Sequence, residues 1–402
     1  MHRCHGLLTS PPGCDYPTQA SLAAGAVTAY NWRAIQSEPD AMTRCRLTLI
    51  LATLTAVLPA SEASAHIKWF YPYDLAHAPR DIGDVLTTNF VVLYILSAVA
   101  IYAFFFVDRT LYRSGVLRET FGRLMISENQ AYWLIRICVS VMFVALFLYG
   151  LFAQSMYLTP ELTTPNPAVK WIQLAIALVV WFRPTVPLAA VGMIGLYVMA
   201  GRDYGFYHMM DYPIFLGLAV FLLFGTMAGD TWKTVRYVAL FATTGISLLW
   251  GAVEKFAYPN WFYPLLEDLP FLTFGIPPEL FVTIAGFVEF NLTFVLLSSA
   301  SIVSRVVAFA FNMIFLLAIY IFGLVDAVGH LMIIAVLLVL TIRGPTKARD
   351  FLVLSDRSRW TEAYFMTGLW MLAMNVIFIA YYGLYALMLS PEAAAPVQAH
   401  AH

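Results

Sequence analysis

The sequence predicts an all-α, polytopic membrane protein, a transmembrane bundle of about ten spanning helices. Three observations predict it. Of the 402 residues, 61% are hydrophobic and only 12% charged, with a mean hydropathy of +0.75, too little polar surface for a soluble chain of this size. The apolar residues form long continuous runs, and in lipid the helix is what lets such a run satisfy its own backbone. Lysine and arginine also alternate in density from one loop to the next, as the positive-inside rule demands. The net charge of −1 names no partner, and no basic patch with interleaved aromatics points to nucleic acid. Cysteines at 4, 14, 45 and 138 make neither a disulfide framework nor a CxxC site.

Residues 1–41 show no period and no apolar run, which predicts a disordered extension ahead of a start at Met42. From there Arg44 and Arg46 precede the apolar run Leu47 to Leu58 and the small-residue exit Ala63-Ser64-Ala65. This order predicts a cleavable signal peptide over 42–65, with cleavage before His66; the alternative is a retained anchor. Residues 66–88, His66-Ile67-Lys68-Trp69-Phe70-Tyr71-Pro72-Tyr73 onward, read as a periplasmic aromatic segment at the membrane interface.

The first spanning helix is predicted over 89–107. Further runs follow over 131–152, 169–183, 185–201, 211–228, 235–253, 279–299, 305–323 and 327–342, with the last spanning helix over 363–389. A disordered tail closes the chain over 390–402. With residue 66 outside, the inside loops hold Arg109, Arg113, Arg118, Arg123, Arg183, Lys233, Arg236, Arg305, Arg343, Lys347, Arg349, Arg357 and Arg359. The outside loops hold only Lys68, Arg80, Lys170, Arg202 and Lys255. This asymmetry predicts a bacterial-type inner membrane protein with both mature ends in the periplasm.

Helices two to five and six to nine look like two parallel copies of one four-helix unit, over 131–228 and 235–344. Arg136 precedes Tyr149-Gly150-Leu151-Phe152-Ala153-Gln154 in the first, as Arg236 precedes Trp250-Gly251-Ala252-Val253-Glu254-Lys255 in the second. Asp211 and His330 then head the apolar runs to Gly225 and Gly344. An insertion over Asn260 to Pro278 distinguishes the second copy. The alternative is that apolar runs resemble one another through composition alone.

The second unit resembles a known family. Arg236, Gly251-Ala252-Val253-Glu254-Lys255-Phe256, Ala285-Gly286-Phe287-Val288-Glu289-Phe290, Ser304-Arg305-Val306-Val307-Ala308 and a last helix ending Gly344-Pro345 look like the DoxX-type four-helix membrane module. The resemblance covers about 235–345, and 131–228 as a degenerate copy. There Ala153-Gln154 stand in place of Glu254-Lys255, and no carboxylate matches Glu289. The family includes thiosulfate:quinone oxidoreductase subunits beside many members of unknown activity. The resemblance thus implies two tandem DoxX-like units and a setting among membrane redox proteins.

Four residues are candidates for catalysis: Glu289, Glu254, Lys255 and His330. Glu254 and Lys255 are adjacent, so on a helix they point about 100° apart and serve different partners. Glu254 is placed to accept a proton or hold a cation, and Lys255 to attract a quinone or anionic oxygen. The alternative is an interfacial helix end where Lys255 snorkels. Glu289 lies well inside an apolar run, where a charge costs roughly 2.5–3.5 kcal/mol on the insertion scale. It is expected to be protonated or paired, with Asn291, Asn312 and His330 as candidate neighbours, or else to serve as interhelical glue.

Candidate metal ligands are His208, Asp211, Asp326 and His66. His208 with Asp211, and Asp326 with His330, sit three or four residues apart at the start of a helix, a spacing for a metal or a proton relay. A capping Asp gives the same pattern. His66 as a mature N-terminus would offer an amino group and an imidazole to copper, with His77, His400 and His402 also outside.

The leading expectation is an integral inner-membrane component of a respiratory or redox process, with a polar site near the outer leaflet that takes a quinone-type ligand. Whether it is an enzyme stays open. The sequence carries no flavin, haem or iron–sulfur motif, so an oxidoreductase subunit of this kind would use a partner membrane or periplasmic redox subunit, or dissolved quinone. The alternatives are a transporter of a small solute or metal ion and a non-catalytic membrane scaffold.

Overall fold

The computed structural model describes Lys68, Tyr71, Tyr73 and residues 77–115, 125–344, 353 and 357–389. The expected extension, signal peptide and tail, with His66, His400, His402, Arg118, Arg123, Lys347 and Arg349, lie outside the described residues.

Ten main helices follow one another: α1 (Thr88–Ser114), α2 (Glu128–Phe152), α3 (Ala168–Val179), α4 (Val186–Tyr204), α5 (Ile214–Phe224), α6 (Asp230–Ala257), α7 (Pro278–Ser298), α8 (Val303–Phe322), α9 (Leu324–Arg343) and α10 (Arg359–Met388). Local chemistry sets several of their ends. The Thr87 hydroxyl accepts from the Phe90 amide to open α1, and Ser127 with Gln130 forms a reciprocal capping box on α2. Ser358 opens α10 by accepting from the Thr361 amide. A two-stranded antiparallel hairpin, β1 (Ser155–Met156) and β2 (Thr163–Thr164), pairs Ser155 with Thr164 between α2 and α3.

Among the described residues, eight helices are long and apolar enough to cross a membrane, α4 counting from Arg183. The chain is therefore built as a multi-pass helical membrane protein in contact with lipid. The expected runs 169–183 and 211–228 are exceptions. Their helices have 12 and 11 residues, about 18 and 16 Å of rise, roughly half of a 30 Å hydrocarbon core. Proline explains one boundary. Pro213 disfavours helical dihedrals at Tyr212, so α5 opens after Asp211 instead of on it.

The described loops gather at two ends. Among the described residues, one end holds Lys68, Tyr71, Tyr73 and residues 77–87 with the α2–α3, α4–α5, α6–α7 and α8–α9 connections; the other holds the α3–α4, α5–α6 and α7–α8 connections. Helices α2 to α5 pack in sequence, as do α6 to α9. The two groups interlock, α5 on α6 and α9 on α2, while α1 and α10 pack on each other and lean on α7 and α6. Close approach needs small residues here, as it does in membrane bundles generally. A Cβ on Gly217 of α5 would lie 1.8 Å from Thr243 Oγ1 of α6, and one on Gly286 of α7 would lie 2.7 Å from the Phe256 ring of α6.

At the second end, buried Asp108 ties α1 to the α7–α8 loop. It accepts from Ser299 Oγ at 2.5 Å, Ser301 Oγ at 2.5 Å and the amides of Ala300 and Ser301, and it pairs with Arg109 at 2.6 Å. Glu128 of α2 pairs with Arg236 of α6 at 2.6 Å and with Arg343 of α9. Arg236 and Arg343 thus clamp the seam between the two groups of four helices.

Candidate functional site

A cluster of buried charge that joins several elements lies at the first end. Lys68, from the segment ahead of α1, buries its side chain to 1% exposure, with its ammonium 2.5 Å from Asp211 Oδ2 and 2.5 Å from Glu254 Oε1. Asp211 comes from the α4–α5 connection and Glu254 from the last turn of α6, so this one amine joins the two groups of helices. The Trp261 and Tyr73 rings flank it at 5.4 and 5.8 Å, distances at which an aromatic face attracts a cation. Burial disfavours the charged amine, but Asp211, Glu254 and Glu161 outweigh it and hold the Lys68 pKa above its ordinary value.

Glu161, in the turn between β1 and β2, forms the second half of the cluster. It meets His208 Nε2 at 2.5 Å, accepts from the Tyr73 hydroxyl at 2.6 Å and from the Tyr212 hydroxyl. Burial pushes this carboxyl up; His208, Lys68 and Tyr212 overcome that and hold it well below the usual carboxylate range. The Tyr73 and Tyr204 rings stack on His208, each at 5.8 Å. Tyr73 of the aromatic segment therefore packs on the bundle mouth, and Tyr71 donates to Asp268 at 2.6 Å.

Lys255 turns away from this cluster. It pairs with Glu289, donates to the Gly251 carbonyl at 3.2 Å and lies 5.1 Å from the Phe262 ring. The two side chains are 19% and 22% exposed, and Lys255 borders a cleft of about 100 Å³ with Arg80, Thr87, Phe256, Glu279 and Thr283. Glu254 and Lys255 thus go to separate partners. The polar neighbours expected for Glu289 are elsewhere: Asn291 donates to Ser97 of α1 at 2.8 Å, and the Asn312 amide reaches the α9 backbone at Ile334 and Leu338, both at 3.2 Å. His330 pairs along α9 with buried Asp326 at 3.0 Å and packs on Phe315 of α8.

Of the candidate metal ligands, His208 and Asp211 fall in one cluster but serve different partners, Glu161 and Lys68. Asp326 belongs to the pair on α9. Among the described residues no three His, Cys, Asp or Glu side chains converge as a metal-holding group. Sequence reasoning missed Lys68, Glu161 and Tyr73 as site residues. Their one signal is an unmatched lysine in a segment placed at the same end as Asp211 and Glu254.

The geometry defines a class: a multi-pass helical membrane protein with a buried ion-pair cluster at one end. Comparison of the chain with family models, with curated proteins and with solved structures gave no match.

Proposed function

We propose that the protein is an inner-membrane component of a respiratory or redox process, built as two tandem DoxX-like units, whose Lys255–Glu289 pair engages the head group of a quinone. The observation that carries this reading is Lys255, which pairs with Glu289 and itself lines a small cleft at the first end together with Arg80 and Glu279. The ammonium is a donor for a quinone oxygen, and the carboxylate is an acceptor for a quinol hydroxyl. The donor set fits the group. The cleft of about 100 Å³ is small against the roughly 300–1,000 Å³ of a full ligand pocket, so it suits the edge of a ring whose tail stays in lipid.

A bound quinone would supply two-electron chemistry coupled to protons, with electrons exchanged through a partner redox subunit. Lys255 orients the head group, and Glu289 takes or returns a proton at its carboxylate. The distribution of arginines supports the orientation, since Arg109, Arg113, Arg236, Arg305 and Arg343 lie toward the second end, the cytoplasmic one in this reading. The interlocked packing of α2–α5 with α6–α9 supports the tandem units.

The test is purification with native lipid, followed by mass spectrometry and metal analysis. Stoichiometric quinone that is lost in Lys255→Met and Glu289→Gln is the expected result. Absence of both quinone and metal would instead favour a scaffold, a reading helped by one observation: Glu254, Lys255–Glu289 and Asp326–His330 belong to three separate sets of contacts.

A further inference from the structure

The Lys68 ammonium is held as a small organic cation is held. Two carboxylate oxygens, Asp211 Oδ2 and Glu254 Oε1, lie 2.5 Å from it on one side, and the Trp261 and Tyr73 rings lie 5.4 and 5.8 Å from it on the other. Its burial is nearly complete, at 1% side-chain exposure. We infer that the mouth of the bundle is a binding site for a primary alkylammonium ion, which the chain fills with its own residue 68.

Three features argue for an amine over another cation. The charge count around Lys68 is in surplus: Asp211 and Glu254 both face one ammonium, while Glu161 has His208 for a second partner. The walls are mixed, because aromatic faces attract organic cations but give no oxygen ligands to calcium or magnesium, which take six or more. Behind Glu254, the buried Tyr207 and Tyr381 rings pack on each other and on Trp250, one turn before Glu254 in α6. The carboxylate side of the site is thus backed by aromatic rings as well.

The site is separate from the Lys255–Glu289 pair and stands whether or not that pair takes a quinone. A tethered group acts at an effective concentration of roughly millimolar for a short linker. A free amine or a lysine side chain of a partner must therefore exceed that level, or Lys68 must be removed, before it can enter.

The test uses the full-length chain with Lys68→Ala, purified in detergent with n-butylammonium present and then dialysed. The expected result is a melting temperature that n-butylammonium at tens of millimolar raises by several degrees, saturably, while n-butanol and sodium chloride at equal concentration do not. Adding Asp211→Asn and Glu254→Gln should abolish the amine effect. No stabilisation, or an equal effect of sodium chloride, overturns the inference; so does stronger stabilisation by a divalent cation, which would make this a metal site. Where dialysis unfolds the single variant, folding yield with and without n-butylammonium during purification is the second readout. An amine-independent yield, where no melting transition remains to measure, counts against the site.

Discussion

Glu254 and Lys255 are adjacent in the chain and sit in two different ion pairs, Glu254 with Lys68 at 2.5 Å and Lys255 with Glu289. The helical rotation between neighbours separates them, and burial separates their energetics. Lys68 and Glu254 are 1% and 7% exposed, whereas Lys255 and Glu289 are 19% and 22% exposed. Removing one partner of a buried pair costs about 3–5 kcal/mol, and solvent-accessible pairs contribute about 1 kcal/mol or less. Lys68→Met should therefore lower the melting temperature in detergent far more than Lys255→Met does. Equal losses would show that the two pairs are not energetically distinct.

The same cluster sets a pH dependence. Glu161 has a depressed pKa in the folded chain, so its contribution is present above the ordinary carboxylate value of 4.5 and fades as pH falls through the lower folded value. Lys68 is shifted upward. Its contribution is full below the ordinary 10.5 and is lost only as pH rises through the higher folded value. The contributions of these two groups should accordingly be full at neutral pH, and stability should fall on acidification below about 4.5. Glu161→Gln should flatten that acid limb while lowering stability at neutral pH. An unchanged acid limb in the variant would assign the loss to other carboxylates.

Much of the fold was legible in the sequence because apolar runs in lipid leave the backbone few choices. Each predicted run holds a helix; most of the helices extend past the ends of their runs, as α1 does to Ser114, and two are shorter than expected, with Pro213 delaying α5 past Asp211. The site was legible only in part. Glu254, Lys255 and Glu289 stand out as charges in or beside apolar runs, and the separate partnering of the first two follows from helical geometry alone. The partners themselves do not. Lys68 and Asp211 are 143 positions apart, and nothing local to either specifies the other. Asp108 was missed for the same reason: its role comes from the Ser299 and Ser301 hydroxyls on a distant loop.

Asp108 carries the next prediction. Its carboxylate gathers two serine hydroxyls, two backbone amides and Arg109 in a buried site. Asp108→Ala leaves those donors without their acceptor and Arg109 without one of its carboxylates. The cost should approach the about 3–5 kcal/mol of a broken buried pair. Asp108→Asn keeps the shape and one carbonyl acceptor, and should lose less. Thermal unfolding of the two variants decides this, and a milder loss in Asp108→Ala than in Asp108→Asn would contradict it.

Gly217 tests the seam between the two groups of helices. A Cβ there would lie 1.8 Å from Thr243 Oγ1 and 3.0 Å from the Ala239 carbonyl, and the Thr243 hydroxyl is itself held by the Ala239 and Leu240 carbonyls at 2.8 and 3.2 Å. Gly217→Ala should cost about 1–3 kcal/mol, as overpacking usually does. Most of the clash comes from one hydroxyl, so Gly217→Ala combined with Thr243→Ala should recover part of that loss, a coupling expected only for residues in contact. Strictly additive losses in the double variant would mean that α5 and α6 do not meet at these two positions.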